Sequence, residues 1–160
     1  MGIEARIEGE TPFADPSGAV LRGHTGDQRL RFLARHGAGH RRLSHGVNHR
    51  ANIFALKPAG VTRVLGRSAV GHLAQQVAPG DLALPEQCLD RTRGAHERTL
   101  FGGGVAAHVA NASPVRAAWV NAAATSARCH NITLHCESAL LTPDDAMTPD
   151  RRQWLAVLRQ

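Results

Sequence analysis

The sequence predicts an α/β fold, a mixed sheet flanked by helices, on three observations. Apolar segments of strand length alternate with segments of helical periodicity. Turns bearing glycine and proline separate them. Apolar content is 42% over 160 residues, enough for a buried core. Aromatic content is only 4%, with no Tyr, so that core rests on Val, Leu and Ala.

In chain order, residues 10–18, with Pro12, Pro16 and Gly18, read as turns and loop. Residues 19–24 and 29–34 read as two short strands, joined as a hairpin by Thr25-Gly26-Asp27-Gln28. The second strand runs into Arg35-His36-Gly37-Ala38-Gly39-His40, a loop whose glycines let backbone amides approach a ligand. Asn48 is placed to cap a helix with an apolar face of Ala51, Ile53, Phe54, Ala55 and Leu56, and Pro58-Ala59-Gly60 stops it. Residues 61–66 predict a strand ending at Arg67-Ser68-Ala69-Val70-Gly71. Residues 81–85, after the Pro79-Gly80 turn, predict a further one. Residues 105–109 read as loop or strand, and the alanines of residues 115–128 support a helix. Beyond them, residues 132–134 suit a strand and residues 151–158 an amphipathic helix. There is no internal repeat. A composition change near residue 130 is the candidate break, giving an α/β domain over 1–130 and a divergent segment over 131–160.

Charge and cysteine usage narrow the function classes. Nineteen Lys plus Arg against thirteen Asp plus Glu give +6, and Lys57 is the one lysine. The arginines are scattered, with no aromatic stacking platform between them. A solvated basic surface or an anionic substrate such as phosphate therefore suits the charge better than a nucleic acid. Cys88, Cys129 and Cys136 are odd in number and form no CxxC pair, which favours reduced thiols and a cytoplasmic location. The N-terminal MGIEARIEGE lacks the apolar stretch of a signal peptide, and no apolar run approaches a membrane span.

The chemistry concentrates in Arg35-His36-Gly37-Ala38-Gly39-His40. A strand that delivers Arg and His into a glycine loop suits an oxyanion: the guanidinium is a planar fork of donors, and the ring and loop amides add more. Ser68 and Ala69 supply a hydroxyl and an amide at a predicted strand end, where open α/β sheets place ligands. Other clusters carry less. His40, His45 and His49 lie in an Arg-rich loop with no carboxylate to orient them as metal ligands. Cys129, His130, His135 and Cys136 fit no common zinc spacing. Gly102-Gly103-Gly104 has neither the helix start nor the acidic residue of a nucleotide fingerprint. No metal or organic cofactor is expected.

The order of these blocks resembles the methylthioadenosine/purine-nucleoside phosphorylases. The likeness runs through Glu10-Thr11-Pro12-Phe13, Pro16-Ser17-Gly18, residues 32–41, Val47-Asn48-His49-Arg50-Ala51-Asn52-Ile53 and Ala55-Leu56-Lys57. It continues through Ser68-Ala69-Val70-Gly71, Pro79-Gly80-Asp81-Leu82, Asp90-Arg91-Thr92 and Ala107-His108-Val109, and so covers about residues 10–130. The resemblance implies part of a three-layer phosphorylase fold. It implies phosphorolysis of 5′-methylthioadenosine or a related purine nucleoside, with inorganic phosphate attacking C1′ to release the base and a ribose 1-phosphate. Arg35 and His36 match the family's phosphate-binding pair, and Ser68 and Ala69 its further phosphate-binding hydroxyl and amide, with Ser in place of the usual Thr. His108 matches a histidine lent across a subunit interface to a neighbour's 5′-substituent pocket, which implies a homo-oligomer, a trimer in the methylthioadenosine branch.

The departures are as specific. The family's Gly-Gly-Ser/Thr-Gly phosphate loop precedes the matched blocks and is not found here. Its Glu-Gly-Pro-Arg-Phe-Ser-Thr and Met-Thr-Asn-Met-Pro-Glu segments, and the Asp that protonates the leaving purine, have no counterpart after His130. Asp144 and Asp145 lie in no matching context, so no catalytic residue is assigned. Ser44, His49, Arg67, His72 and Arg116 also depart from the family pattern. The expectation is a relative shortened at both ends, or an inactive one that binds phosphate or assembles with partner subunits.

Overall fold

A computed structural model describes residues 2–7, 9–71, 75–91, 99–109 and 114–142, the first stretch by its backbone. The fold is α/β. The chain forms two compact units, residues 1–67 with 95–106 and residues 68–94 with 107–160.

In the first unit, strands β1 (Gly2–Ile7), β2 (Val20–Thr25) and β3 (Gln28–Phe32) form an antiparallel sheet in the order β1-β2-β3. The predicted hairpin is β2–β3. Thr25 pairs with Gln28, and Gly26 opens the two-residue turn at φ +53°, the sign a primed hairpin turn needs there. Strand β1 is an addition to the elements read from sequence; its signal is the period-two Ile3, Ala5, Ile7.

Helix α1 (His49–Leu56) forms where the Asn48 cap and the Gly60 stop predict it. Asn48 Oδ1 accepts from the Ala51 N–H at 3.0 Å, satisfying a donor that the helix start leaves open. At the other end Gly60 N–H donates to the Lys57 carbonyl and Val61 N–H to the Leu56 carbonyl, with Gly60 at φ +74°. Those paired bonds make a Schellman stop, which requires the left-handed residue glycine supplies. The buried side of α1 keeps Ala51 of the predicted face, with Phe54, Ala55 and Leu56 half-buried, and departs from it at Asn52 and Ile53. Ala51 and Asn52 are buried, whereas Ile53 is 47% exposed. Phe13 packs edge-on to Phe54 at 5.7 Å, and the Arg50 guanidinium lies 4.8 Å above the Phe13 ring. The leader therefore lies along the helix. Among the described residues, Val20, Val47, Ala51 and Ala59 are the buried apolar residues of this unit.

The strand predicted over residues 61–66 does not form; residues 61–71 are irregular. Val and Leu side chains favour an extended backbone, but a strand also needs a neighbouring ladder. Leu65 is 91% exposed, so no packing compensates for the missing one.

The second unit is a strand–helix–strand crossover. Strand β4 (Leu82–Asp90) pairs in parallel with β5 (Leu134–Thr142), and α2 (Ala117–Cys129) lies between them in sequence and packs on β5. Strand β4 runs past the expected end at Pro85. Proline has no N–H for the ladder, and the register shifts on both sides of it absorb the defect. Helix α2 ends as α1 does. Asn131 N–H donates to the Arg128 carbonyl and Ile132 N–H to the Ala127 carbonyl, with Asn131 taking the left-handed role at φ +54°. Cys88, Cys129 and Cys136 are unbridged. No described helix is long and apolar enough to cross a membrane. The terminal helix expected over residues 151–158, together with Asp144, Asp145 and His72, lies outside the described residues.

One polar contact ties β5 to the turn that starts β4. His135 Nε2–H donates to Asp81 Oδ2 at 2.8 Å, and the Ala78 N–H donates to the same oxygen at 3.0 Å. These donors, His135 first, hold the Asp81 carboxyl below its ordinary value of 3.8. A depressed carboxylate contributes stability above its unfolded value and loses it as pH falls through the lowered folded value. The melting-temperature gap between the wild type and Asp81→Asn is therefore expected to stay constant from neutral pH towards 3.8 and to close below it. A gap independent of pH across that range would show that the pair contributes nothing through titration.

Candidate functional site

The segment after β3 folds into consecutive turns that their own backbone closes. Gly37 N–H donates to the Ala34 carbonyl at 2.8 Å, His40 N–H to the Gly37 carbonyl at 3.2 Å, and Arg42 N–H to the His36 carbonyl at 2.9 Å. Gly37 and Gly39 sit at φ +75° and +72°, where a side chain is strained.

Within that frame Arg35 and His36 meet. Arg35 Nε–H donates to His36 Nε2 at 3.1 Å, and His36 Nδ1 faces the Arg42 carbonyl at 2.9 Å. A carbonyl only accepts, so Nδ1 carries the proton and Nε2 presents its lone pair to the guanidinium. This assigns His36 as the neutral Nδ1–H tautomer. The His40 ring stacks on His36 at 4.3 Å and 24°, which limits its rotation. Arg35 is exposed and His36 half-buried, and the ring that orients the guanidinium is held by main chain.

Two residues that sequence reading left without a role support this loop. Ser17 N–H donates to Asn52 Oδ1 at 2.7 Å, and Asn52 Nδ2 donates to Ser17 Oγ at 3.0 Å, with both residues buried. Ser17 is thereby fixed to α1, and its carbonyl lies 3.3 Å from where a Cβ on Gly37 would sit. Arg42 Nη2 reaches the Pro16 carbonyl at 3.4 Å. The available signal was a polar residue on the buried side of α1, which requires a partner.

Gly37→Ala meets both the positive φ and that carbonyl. We expect it to destabilise the fold by about 1–3 kcal/mol, read as a lowered denaturation midpoint. Gly60→Ala is the control, since Gly60 shares the backbone conformation at φ +74° with nothing within 4 Å of its Cβ position. Equal losses in the two variants would remove the crowding part of this account.

The other sequence candidates lie in the second unit. Ser68, Ala69 and His108 are all exposed, in irregular backbone. The strand end expected to present Ser68 and Ala69 is absent, because residues 61–66 form no ladder. Of the residues weighed as metal ligands, His130 is bound through Nδ1 to the Ser126 carbonyl at 2.8 Å and His135 to Asp81.

Comparison with known proteins gives a consistent pattern. Residues 2–147 match the Phosphorylase superfamily, beyond the motif-bearing stretch at both ends. An S-methyl-5′-thioadenosine phosphorylase of Geobacter sulfurreducens is 46% identical over 106 residues, which are 66% of this chain and 37% of that protein. The Rhodospirillum rubrum protein of the same name is 49% identical over 111 residues, 69% of this chain and 37% of the relative. This chain thus spans little more than a third of the length of these relatives. Among solved structures, methylthioadenosine phosphorylase from Schistosoma mansoni in complex with adenine superposes with a TM-score of 0.88 at 26% identity, covering 99% of this chain and 65% of that one.

Proposed function

From the premise that this chain belongs to the phosphorylase superfamily, we propose that it carries the phosphate half of a site for phosphorolysis of 5′-methylthioadenosine or a related purine nucleoside. The observation that carries this reading is the Arg35–His36 pair, joined at 3.1 Å in a backbone-closed glycine loop at the end of β3. Inorganic phosphate is the co-substrate. Its oxygens accept from the Arg35 guanidinium, which the His36 Nε2 lone pair orients by accepting from Nε–H. Held so, the phosphate is oriented for attack on C1′, and its negative charge lies beneath a sugar that becomes cationic in the transition state. Ser68 and Ala69 are assigned a phosphate-binding hydroxyl and amide on the family resemblance of their own block.

The site works in a homo-oligomer, a trimer on the pattern of the family, in which His108 of one subunit serves the 5′-substituent pocket of the next. It operates in the cytoplasm on a purine nucleoside, without metal or organic cofactor. The second reading, a relative that binds phosphate without turnover, is favoured by one feature: the acid that would protonate the leaving purine has no counterpart in the sequence. Loss of such a group slows a reaction by about 10²–10⁴-fold.

The test is to follow adenine release from 5′-methylthioadenosine in inorganic phosphate, with calorimetric titration of phosphate alone beside it. Saturable phosphate binding with release slower than that of a whole family enzyme by about 10²–10⁴-fold is expected. Failure to bind phosphate overturns the reading, and release at full enzymic rate overturns the half-site assignment.

A further inference from the structure

The β2–β3 hairpin carries a second concentration of positive charge, built from residues other than Arg35 and His36. Its register sets Arg22 opposite Arg31 and His24 opposite Arg29. Side chains alternate along a strand, so all four positions share one face. Arg22 and Arg31 are directly facing like charges, which oppose sheet pairing, so that pair works against the hairpin unless an anion lies between them. With Gly23, these four residues line an open groove of about 480 Å³, and no acidic residue is among them. The nearest acid in sequence, Asp27, belongs to the turn. Arg31 is held in place by main chain, since its Nε donates to the Ala59 carbonyl at 3.2 Å and its Nη1 to the Leu30 carbonyl at 3.0 Å. Those contacts orient the guanidinium and leave its charge uncancelled.

We propose that this groove binds a linked polyphosphate anion. The two cross-strand pairs are two residues apart along the strands, about 7 Å, wider than one phosphate bridges. An anion with charges on several linked phosphates engages the Arg22/Arg31 pair and Arg29 together. Guanidinium forks suit such oxygens two at a time. No Phe or Trp lines the groove, and His24 is the one ring among its lining residues, fewer stacking surfaces than single-strand nucleic-acid sites use.

The probe is inorganic triphosphate, titrated into the full chain at fixed ionic strength with orthophosphate and sulfate as comparisons. In the Arg35→Gln background, which removes the proposed orthophosphate site, triphosphate is expected to bind with an affinity that falls at least about tenfold when Arg22→Gln/Arg29→Gln is added. Without ligand, Arg22→Gln is expected to melt no lower than the wild type, since it relieves the facing Arg22/Arg31 pair. Triphosphate is then expected to raise the melting temperature of Arg35→Gln and leave that of the triple variant unchanged. The proposal is overturned if the triple variant binds triphosphate as tightly as Arg35→Gln, or if sulfate at equal ionic strength binds equally well. It is also overturned if Arg35→Gln alone abolishes binding, or if single-stranded RNA binds this face in preference to triphosphate.

Discussion

Replacing Arg35 by Gln is expected to weaken phosphate binding about 10- to 150-fold, the factor for loss of a charge-assisted hydrogen bond of about 1.5–3 kcal/mol. The melting temperature of the variant, measured beside its affinity, separates loss of the site from loss of the fold: affinity is expected to fall in a chain that still unfolds cooperatively. The same change removes the donor to His36 Nε2 while leaving Nδ1 on the Arg42 carbonyl. An unchanged phosphate affinity would remove Arg35 from the site.

Asn52→Leu is expected to have the largest effect on stability, about 2–5 kcal/mol, because it leaves two buried polar groups of Ser17 without their partner. Against a typical total of about 5–15 kcal/mol, that is enough to populate unfolded chain at physiological temperature. The consequence reaches the phosphate loop, since the Ser17 carbonyl is the surface against which Gly37 sits. Ser17→Ala is the graded comparison: it removes Oγ and keeps the N–H bonded to Asn52 Oδ1, so it should cost less than half as much. Chemical denaturation of the three proteins decides it, and equal stability of Asn52→Leu and wild type would contradict the assigned clamp.

These residues show which parts of the molecule could be read in advance. The β2–β3 hairpin, the Asn48 cap, the Gly60 stop and the turns around Gly37 were legible because their causes are local: a turn dipeptide, an oxygen in reach of a helix N–H, a glycine at positive φ. The extent of α2 was legible from its alanines, but its Asn131 stop was not recognised, since Asn takes the left-handed position less often than Gly. The segment at residues 61–66 misled for a physical reason. Its composition favours extension, but a strand exists only with a hydrogen-bonded neighbour, and neighbours are set by the fold. The Ser17–Asn52 clamp joins residues 35 apart, and the Asp81–His135 contact residues 54 apart. Neither leaves a local trace beyond a polar side chain at a position that becomes covered.

For the site, residue types and order were sufficient to select Arg35 and His36, while their mutual arrangement was not. Sequence reading treated His36 as a second donor to the anion. The structure makes it an acceptor towards Arg35, with its one proton committed to the Arg42 carbonyl. That difference makes His36 the residue that orients the Arg35 guanidinium rather than a donor to the anion.

The most direct test of the central claim is a ¹⁵N spectrum of the histidine side chains recorded while inorganic phosphate is titrated into the intact chain. Before phosphate is added, His36 should show the Nδ1–H tautomer. Phosphate should then move its Nε2 resonance saturably while Nδ1 stays in place, and Arg35→Gln should suppress the response. A His36 Nε2 resonance that stays fixed through the titration, while phosphate binds elsewhere or not at all, would contradict the assignment of Arg35 and His36 as the phosphate site.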